Sequence, residues 1–400
     1  FSKEIKTTFT SKLSFFDEEK YELKSLGALA VFLQRGKNPK YDDNGYQVIK
    51  SGQARGGVEF DFSKTYYASN YDEDDKRILC KGDILINSTG VGTAGRVTFF
   101  NLEGKYVVDN HITILRTSAY VYNLYVFYAL AYGVGFKNIE ALASGTSGQI
   151  ELSVSAIENI KIPLPPMDVQ KKIVEECEKI DKAVAEDNEQ IRNIEVTISK
   201  MMLEVEGDAQ KIQKLCSAIN PSKSDVNSLE KSMLVSFVEM SSVSNDGYIE
   251  QMVDKPLADV RKSSYTYFAE GDIIIAKITP CMENGKCALA TGLKNGIGFG
   301  SSEFHVFRAN AKLINNVYLF AYLNRKEIRS KAAEVMTGSS GHRRVPISFY
   351  EDLEIPVPSM DKQMLIAEKY KGLMKDIESL KQQIANASSR KQAILDKYLK

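Results

Sequence analysis

The stretch Ser144–Gln170, SGTSGQIELSVSAIENIKIPLPPMDVQ, recurs as Thr337–Gln363, TGSSGHRRVPISFYEDLEIPVPSMDKQ, without a gap and at a constant shift of 193 residues. Each copy carries a Gly-rich turn, a Ser- or Glu-bearing segment, an Ile-Pro-x-Pro exit and a Met-Asp-x-Gln start. That much ordered detail repeated in one chain indicates internal duplication of one unit. Proline fixes φ and disfavours helix in the residue before it, so the chain is expected to stay extended through each Ile-Pro-x-Pro. A helix should then begin at Met-Asp, with Asp168 or Asp361 as its cap.

Both copies run into a long helical pattern. Ile173, Cys177, Ile180, Val184, Asp187, Ile191, Ile194, Ile198 and Met201 alternate steps of four and three. Ile366, Tyr370, Leu373, Ile377, Leu380, Ile384, Ala387, Lys391, Ile394 and Tyr398 do the same. An apolar period of 3.5 with charged residues between marks a narrow coiled-coil seam. The two helices are expected to pack antiparallel on each other. Two polar residues, Asp187 and Lys391, interrupt the seams, and mid-helix Asp187 is the one expected to set register. Roughly 35 residues at about 1.5 Å each give a rod on the order of 50 Å, longer than the approximately 34–36 Å of one turn of B-DNA.

Four hundred residues with 43% hydrophobic content suit two to three domains with ordinary cores. No run of eighteen apolar residues occurs, and the start, FSKEIKTTFTSKLSFF, lacks a secretory signal pattern. The location expected is cytoplasmic. The five cysteines (Cys80, Cys177, Cys216, Cys281 and Cys287) are odd in number and include no C-x-x-C, so reduced thiols are expected. Lys and Arg number 52, as do Asp and Glu. This balance argues against a protein that coats DNA nonspecifically, but not against a locally basic face.

In chain order, residues 1–20 read as a leader or linker, and the Phe start suggests a segment cut from something longer. A first domain over 21–166, a helix over 167–206, a second domain over 207–359 and a helix over 360–400 follow. Leu23 to Leu33 has a helix-like start. Tyr46–Lys50, SGQARGG at 51–57 and Ile78–Asn87 read as short β-like runs. The turn and strand Lys81-Gly82-Asp83-Ile84-Leu85-Ile86 repeats as Glu270-Gly271-Asp272-Ile273-Ile274-Ile275 at a shift of 189, so copy two is four residues longer by the later landmarks. Each copy then shows a Gly- and polar-rich loop, a strand ending in Arg (Arg116 or Arg308), and a Tyr/Leu/Phe-rich helical segment (124–132 and 317–323). The fold class is α+β: two duplicated mixed α/β domains joined by two long helices in an antiparallel coiled coil.

Two variable domains, each closing in S/T-G-x-S-G…Ile-Pro-x-Pro-x-Met-Asp-x-Gln and a heptad helix, resemble the specificity (S) subunit of Type I restriction-modification enzymes. The blocks GDILINSTGVGTAGRV…DNHITILR and GDIIIAKITPCMENGK…GFGSSEFHVFR strengthen the resemblance, which covers nearly the whole chain from about residue 21. It implies two target-recognition domains on double-stranded DNA, each reading one half of a bipartite site, with helices that space them and dock adenine methyltransferase subunits. It implies a chain that does no chemistry and holds no cofactor. The partner methyltransferase would use S-adenosylmethionine, and the restriction (endonuclease/translocase) subunits ATP and Mg. Val169-Gln170 and Lys362-Gln363 depart from the Glu-Gln usual at this helix entry, with an expected effect on local capping.

Base reading needs paired donors and acceptors on loops: Arg or Lys for guanine, Asn or Gln for adenine, Ser or Thr for either. Candidates in copy one are Arg35, Lys37, Arg55, Ser88, Thr89, Thr93, Arg96, Ser147 and Gln149. Those in copy two are Lys277, Lys286, Ser301, Ser302, Ser340, His342, Arg343 and Arg344. Loop cations are as readily explained by solvation, and the Gly-rich turns at 144–148 and 337–341 more readily by structure than by a phosphate. Enzyme readings fare poorly. The three histidines (His111, His305 and His342) show no H-x-x-x-H spacing, GVGTAG at 90–95 lacks the P-loop lysine, and the acids at 72–75 read as a solvated loop. Two alternatives stay open: the recognition portion of a fused restriction-methyltransferase, and a non-DNA coiled-coil scaffold.

Overall fold

The computed structural model describes residues 20–90, 92–134, 151–339 and 341–400. Two compact units emerge: residues 1–188 with 381–400, and residues 189–380, so the division falls inside both long helices.

In the first unit, Ile84–Asn87 is a continuous buried run, as a strand covered on both faces must be. It lies inside a four-stranded antiparallel sheet in the order Ala30–Arg35, Ile112–Thr117, Ile84–Asn87, Val97–Phe99. A second sheet runs Tyr106–Val108, Tyr46–Ile49, Tyr67–Ala68, Tyr41–Asp42, its first two strands parallel. Leu23–Ser25 pairs with Lys161–Pro163, so the Ile-Pro exit is strand before it is helix. Leu26–Leu29 forms one short helical turn capped by Ser25. Lys81-Gly82-Asp83 is the turn expected to feed the strand, but 78–80, read with the same β-like run, is not strand, and in 51–57 only Ala54–Gly56 is.

The second unit repeats this order. Cys216–Ile219, Phe304–Ala309, Ile273–Ala276 and Cys287–Leu289 form the antiparallel sheet. Val253–Pro256, Leu234–Val238, Ile297–Gly300 and Thr266–Ala269 form the mixed one. Asp208–Lys211 pairs with Glu354–Val357.

The first long helix spans Met167–Leu203, three residues short of the expected end. Asp168 and Asp361 sit one residue inside their helices rather than at the cap, where a carboxylate complements the positive end of the helix dipole. The second long helix is interrupted: Met360–Ala385, then Ala387–Leu399 after Asn386. Asn386, Ser388 and Ser389 are weak in helix propensity, which accounts for the break. In the first unit Ile173, Val174 and Cys177 pack with Leu395 and Leu399 against Tyr125, Tyr128 and Leu130. Glu176 bonds Lys397 and Tyr398, while Asp181 bonds Lys391. Partners advance along one helix as they retreat along the other, so the pair is antiparallel. Lys391, only 4% exposed, takes the register position expected of Asp187, which is half-buried with no bonded partner among the described residues. In the second unit Ile198, Met201 and Met202 pack with Ile366, Ala367, Tyr370 and Met374.

Candidate nucleic-acid interface

A set of repeated contacts fixes where the variable loops leave each unit. Gly82 and Gly271 adopt φ of 96° and 82°, a left-handed turn that places Asp83 and Asp272 at the start of an inner strand. Each carboxylate is buried and receives two bonds from an arginine ending the neighbouring strand. Arg116 Nε and Nη2 reach Asp83 at 2.8 and 2.7 Å, and Arg308 reaches Asp272 at 2.9 and 2.8 Å. Asp83 and Asp272 also accept the backbone N–H of Cys80 and Ala269. Gln170 Nε2 donates to Pro165 O and its Oε1 accepts from Tyr122 N; Gln363 does the same with Pro358 and Asn315. The tyrosine hydroxyls of Tyr125 and Tyr318 donate to Pro163 O and Pro356 O. The helix-start glutamines therefore pin the long helices to the domains rather than cap them.

On this scaffold the candidate residues of the first unit divide. Ser88 is fully buried, its hydroxyl 2.6 Å from that of Thr113, so it cannot touch DNA and the assignment is corrected. Arg35 is committed to Glu151 (2.7 Å) and Leu152 O (2.6 Å). Lys37 pairs with Asp75 at 2.8 Å over the Tyr71 ring. Arg55 pairs with Asp61 and holds that carboxyl well below the usual range. Arg96 reaches back to Ala54 O and Gly92 O at 3.3 and 3.4 Å. Thr93 donates to Thr89 O, and Thr89 Oγ1 lies 2.6 Å from His111 Nδ1.

In the second unit Lys286 is spent as a tether: its ammonium donates to Met240 O, Ser241 O and Val243 O, which corrects its reading as a base contact. Arg344 makes a two-bond pair with Glu303 at 2.9 and 2.7 Å and holds the Glu303 carboxyl below its ordinary value. Arg343 bonds Glu283 at 3.1 Å. His342 and Ser302 are exposed, Ser301 caps the Glu303 N–H, and the half-buried Lys277 has no bonded side-chain partner among the described residues. Ser147, Gln149 and Ser340 lie outside the described residues.

The same backbone bridge carries opposite chemistry in the two units. Thr89 pairs with Glu151 in one and Ile278 with Arg344 in the other, an offset of 193 for the second partner. Likewise His111 and Glu303 occupy matching places, since their carbonyls accept from Ser88 N and Lys277 N.

Sequence reasoning missed a cleft of about 650 Å³ in the first unit, lined by Asn38, Tyr41, Lys50, Ser51, Gly52, Lys64, Tyr66, Asn110 and His111 among others. Lys50 Nζ lies 3.6 Å from the centre of the Tyr66 ring and 4.7 Å from that of Tyr41. Those rings come from separate segments, so no local motif announces them, and His111 stands in no motif that would place it there. Among the described residues no group of three or more His, Cys, Asp or Glu is placed to hold a metal ion, and no helix is long and apolar enough to cross a membrane.

Comparison with known proteins matches the Type I restriction modification DNA specificity domain twice, over residues 18–196 and 210–387. The EcoAI specificity subunit of Escherichia coli is 32% identical over 274 residues, and the EcoEI specificity subunit of the same organism 31%. Each match takes in 64% of this chain but only 45% of the relative's length. The S subunit of a Type-I restriction-modification system from M. genitalium has a similar fold, at a TM-score of 0.51 and 13% identity, over 97% of each chain. With two domain matches that together span most of its length, the chain belongs to the Type I restriction modification DNA specificity domain family.

Proposed function

We propose that the chain is the DNA-reading subunit of a Type I restriction-modification complex, each unit reading one half of a bipartite site in double-stranded DNA. The observation that carries this is the bridge at Glu151 and Arg344: one hydrogen-bonded scaffold repeated, with an acid paired to Arg35 at that place in one copy and an arginine paired to Glu303 in the other. Two different base sequences read by one architecture require such a division. The chain itself would do no chemistry. Methyl transfer from S-adenosylmethionine would fall to adenine methyltransferase subunits docked on the long helices, and ATP- and Mg-dependent cleavage to restriction subunits, all in the cytoplasm.

The test is selection from a library of randomised split sites at fixed salt, using the complex with its methyltransferase. An arginine with two bonds to guanine contributes roughly 1–3 kcal/mol of discrimination. Arg96→Ala is expected to relax one half-site, and the double variant Arg343→Ala/Arg344→Ala the other. Loss of the same half-site by both would refute one unit per half-site. Unchanged preferences in both would make these arginines, already bonded within the protein, ordinary intramolecular ties.

A further inference from the structure

We infer that the cleft of the first unit binds a backbone phosphate of DNA through the Lys50 ammonium, the Ser51 hydroxyl and the Gly52 N–H, an inference that rests on the DNA reading above. Lys50 is a flexible side chain made rigid by two tyrosine rings. Its ammonium has no hydrogen-bond or ion-pair partner among the described residues. A cation held in place with its donors unused, at the wall of an open cleft, is arranged for an anion.

The turn beside it is built to the same end. Gln53 N and Ala54 N both donate to Lys50 O, and Gln53 Oε1 accepts Lys50 N. Ser51 O accepts the Asn87 amide at 2.8 Å. Held on these sides, the turn leaves the Gly52 N–H without a partner among the described residues, and a Cβ on Gly52 would meet nothing within 4 Å. Gln53 Nε2 also donates to Asp61 O and Lys64 O, which fixes the segment carrying Lys64 to this cleft.

The two carboxylates of the cleft do not cancel this charge. Asp61 is paired with Arg55. Asp109 is 6% exposed and accepts the His111 N–H; it feels the Lys50 charge but forms no ion pair with it among the described residues, so one carboxylate faces two lysines. Lys50 and Lys64 are the cations of the lining that have no ion-pair partner among the described residues. A point charge, a hydroxyl and a main-chain N–H offer no planar donor-acceptor pattern matched to a base edge. They suit a phosphate, which positions the protein without specifying sequence.

The experiment titrates the full chain with fluorescent duplexes selected by the wild type, and with scrambled duplexes, over a series of salt concentrations. Lys50→Met, which keeps the stem on the rings, is expected to weaken both duplex sets by the same factor and to reduce the slope of log K against log salt by about 0.9. Lys50→Arg should restore the slope. If Lys50→Met melts at a lower temperature than the wild type, Lys50→Gln repeats the measurement. An unchanged slope with wild-type affinity overturns the inference. Weakening confined to duplexes with one particular base pair overturns it in favour of a base contact. Inorganic phosphate binding that Lys50→Met abolishes, with the DNA slope unchanged, overturns it in favour of a free-phosphate site. A wild-type chain that binds no duplex overturns the DNA reading itself, a result distinct from the other three.

Discussion

Replacing Arg116 with leucine tests the clamp on which the loops of the first unit depend. The guanidinium makes two bonds to Asp83, 2.8 and 2.7 Å, and one each to Ile78 O at 2.9 Å and Lys76 O at 3.4 Å. Asp83 is 1% exposed, and without Arg116 its carboxylate keeps only the Cys80 N–H at 2.8 Å. Removing one partner of a buried ion pair costs about 3–5 kcal/mol because the other charge is left uncompensated. A domain has about 5–15 kcal/mol in all. For a unit of this size, that loss should lower the melting temperature by roughly 6–20 °C. The double variant Asp83→Leu/Arg116→Leu should recover much of it, since apolar replacement of the whole pair is near neutral. Urea denaturation followed by tyrosine fluorescence suits a chain with 20 Tyr and no Trp. A cost below about 1 kcal/mol for Arg116→Leu alone, the magnitude of a surface pair, would refute the reasoning. Arg308→Leu should reproduce the result in the second unit, modified by its extra bond to Asp225 at 3.2 Å.

Acidification should destabilise the second unit through His305. Its Nε2–H donates to Val345 O at 2.9 Å, its Nδ1 is buried without a partner, and burial lowers its pKa. A folded pKa below the unfolded value of about 6.5 means stability is complete above that pH and declines as pH falls beneath it. His305→Phe should flatten the melting temperature over that range, and an equally steep wild-type and variant profile would disprove the assignment. In the helix pair, Lys391→Ala should cost at the lower end of about 3–5 kcal/mol, because Asp181 is a third exposed, while Lys391→Met should cost far less. Equal losses measured by urea denaturation would show that the charge is not the deciding feature. Ile180→Asp with Ile191→Asp replaces two side chains that are 5% and 8% exposed, each contributing about 1.5–3 kcal/mol by burial. Helicity by circular dichroism should fall and DNA binding with it; unchanged spectra would refute the seam.

The duplication was legible because it is written in local order: the 193-residue shift pairs Gln170 with Gln363 and Tyr125 with Tyr318, and the structure gives each pair the same bonds. The seam was legible in Ile173, Cys177 and Ile180 but not at the far end, where Leu395 and Leu399 are buried and Ile394 and Tyr398 only half so. Ala387 and Lys391, counted across the break at Asn386, are still buried; beyond them the buried residues keep stepping by four, to Leu395 and Leu399, where the heptad count steps by three. Donor type could be read from the loops, but commitment could not. Lys286 and Ser88 are the right residue types on the right segments, yet one is bonded to three carbonyls and the other is enclosed beside Thr113. Tyr41 and Tyr66 meet over Lys50 only once the sheet is formed, so no spacing could announce that cleft.

Why the repeated contacts tolerate such different loops follows from what they bond. Gln170 and Gln363 engage main-chain groups of Pro165, Tyr122, Pro358 and Asn315; Tyr125 and Tyr318 engage proline carbonyls. Main-chain acceptors are present whatever side chains surround them. The Asp-Arg clamps close on themselves within the sheet. The charged bridge residues, by contrast, bond side chains of neighbouring segments: Glu151 with Arg35 in one unit, Arg344 with Glu303 in the other. Those pairs can exchange sign, or be replaced together, without disturbing the scaffold. A substitution on a bridge should therefore change what the surface offers to DNA at little cost in stability, whereas one at Gln170 or Asp83 should cost stability first and binding only as a consequence.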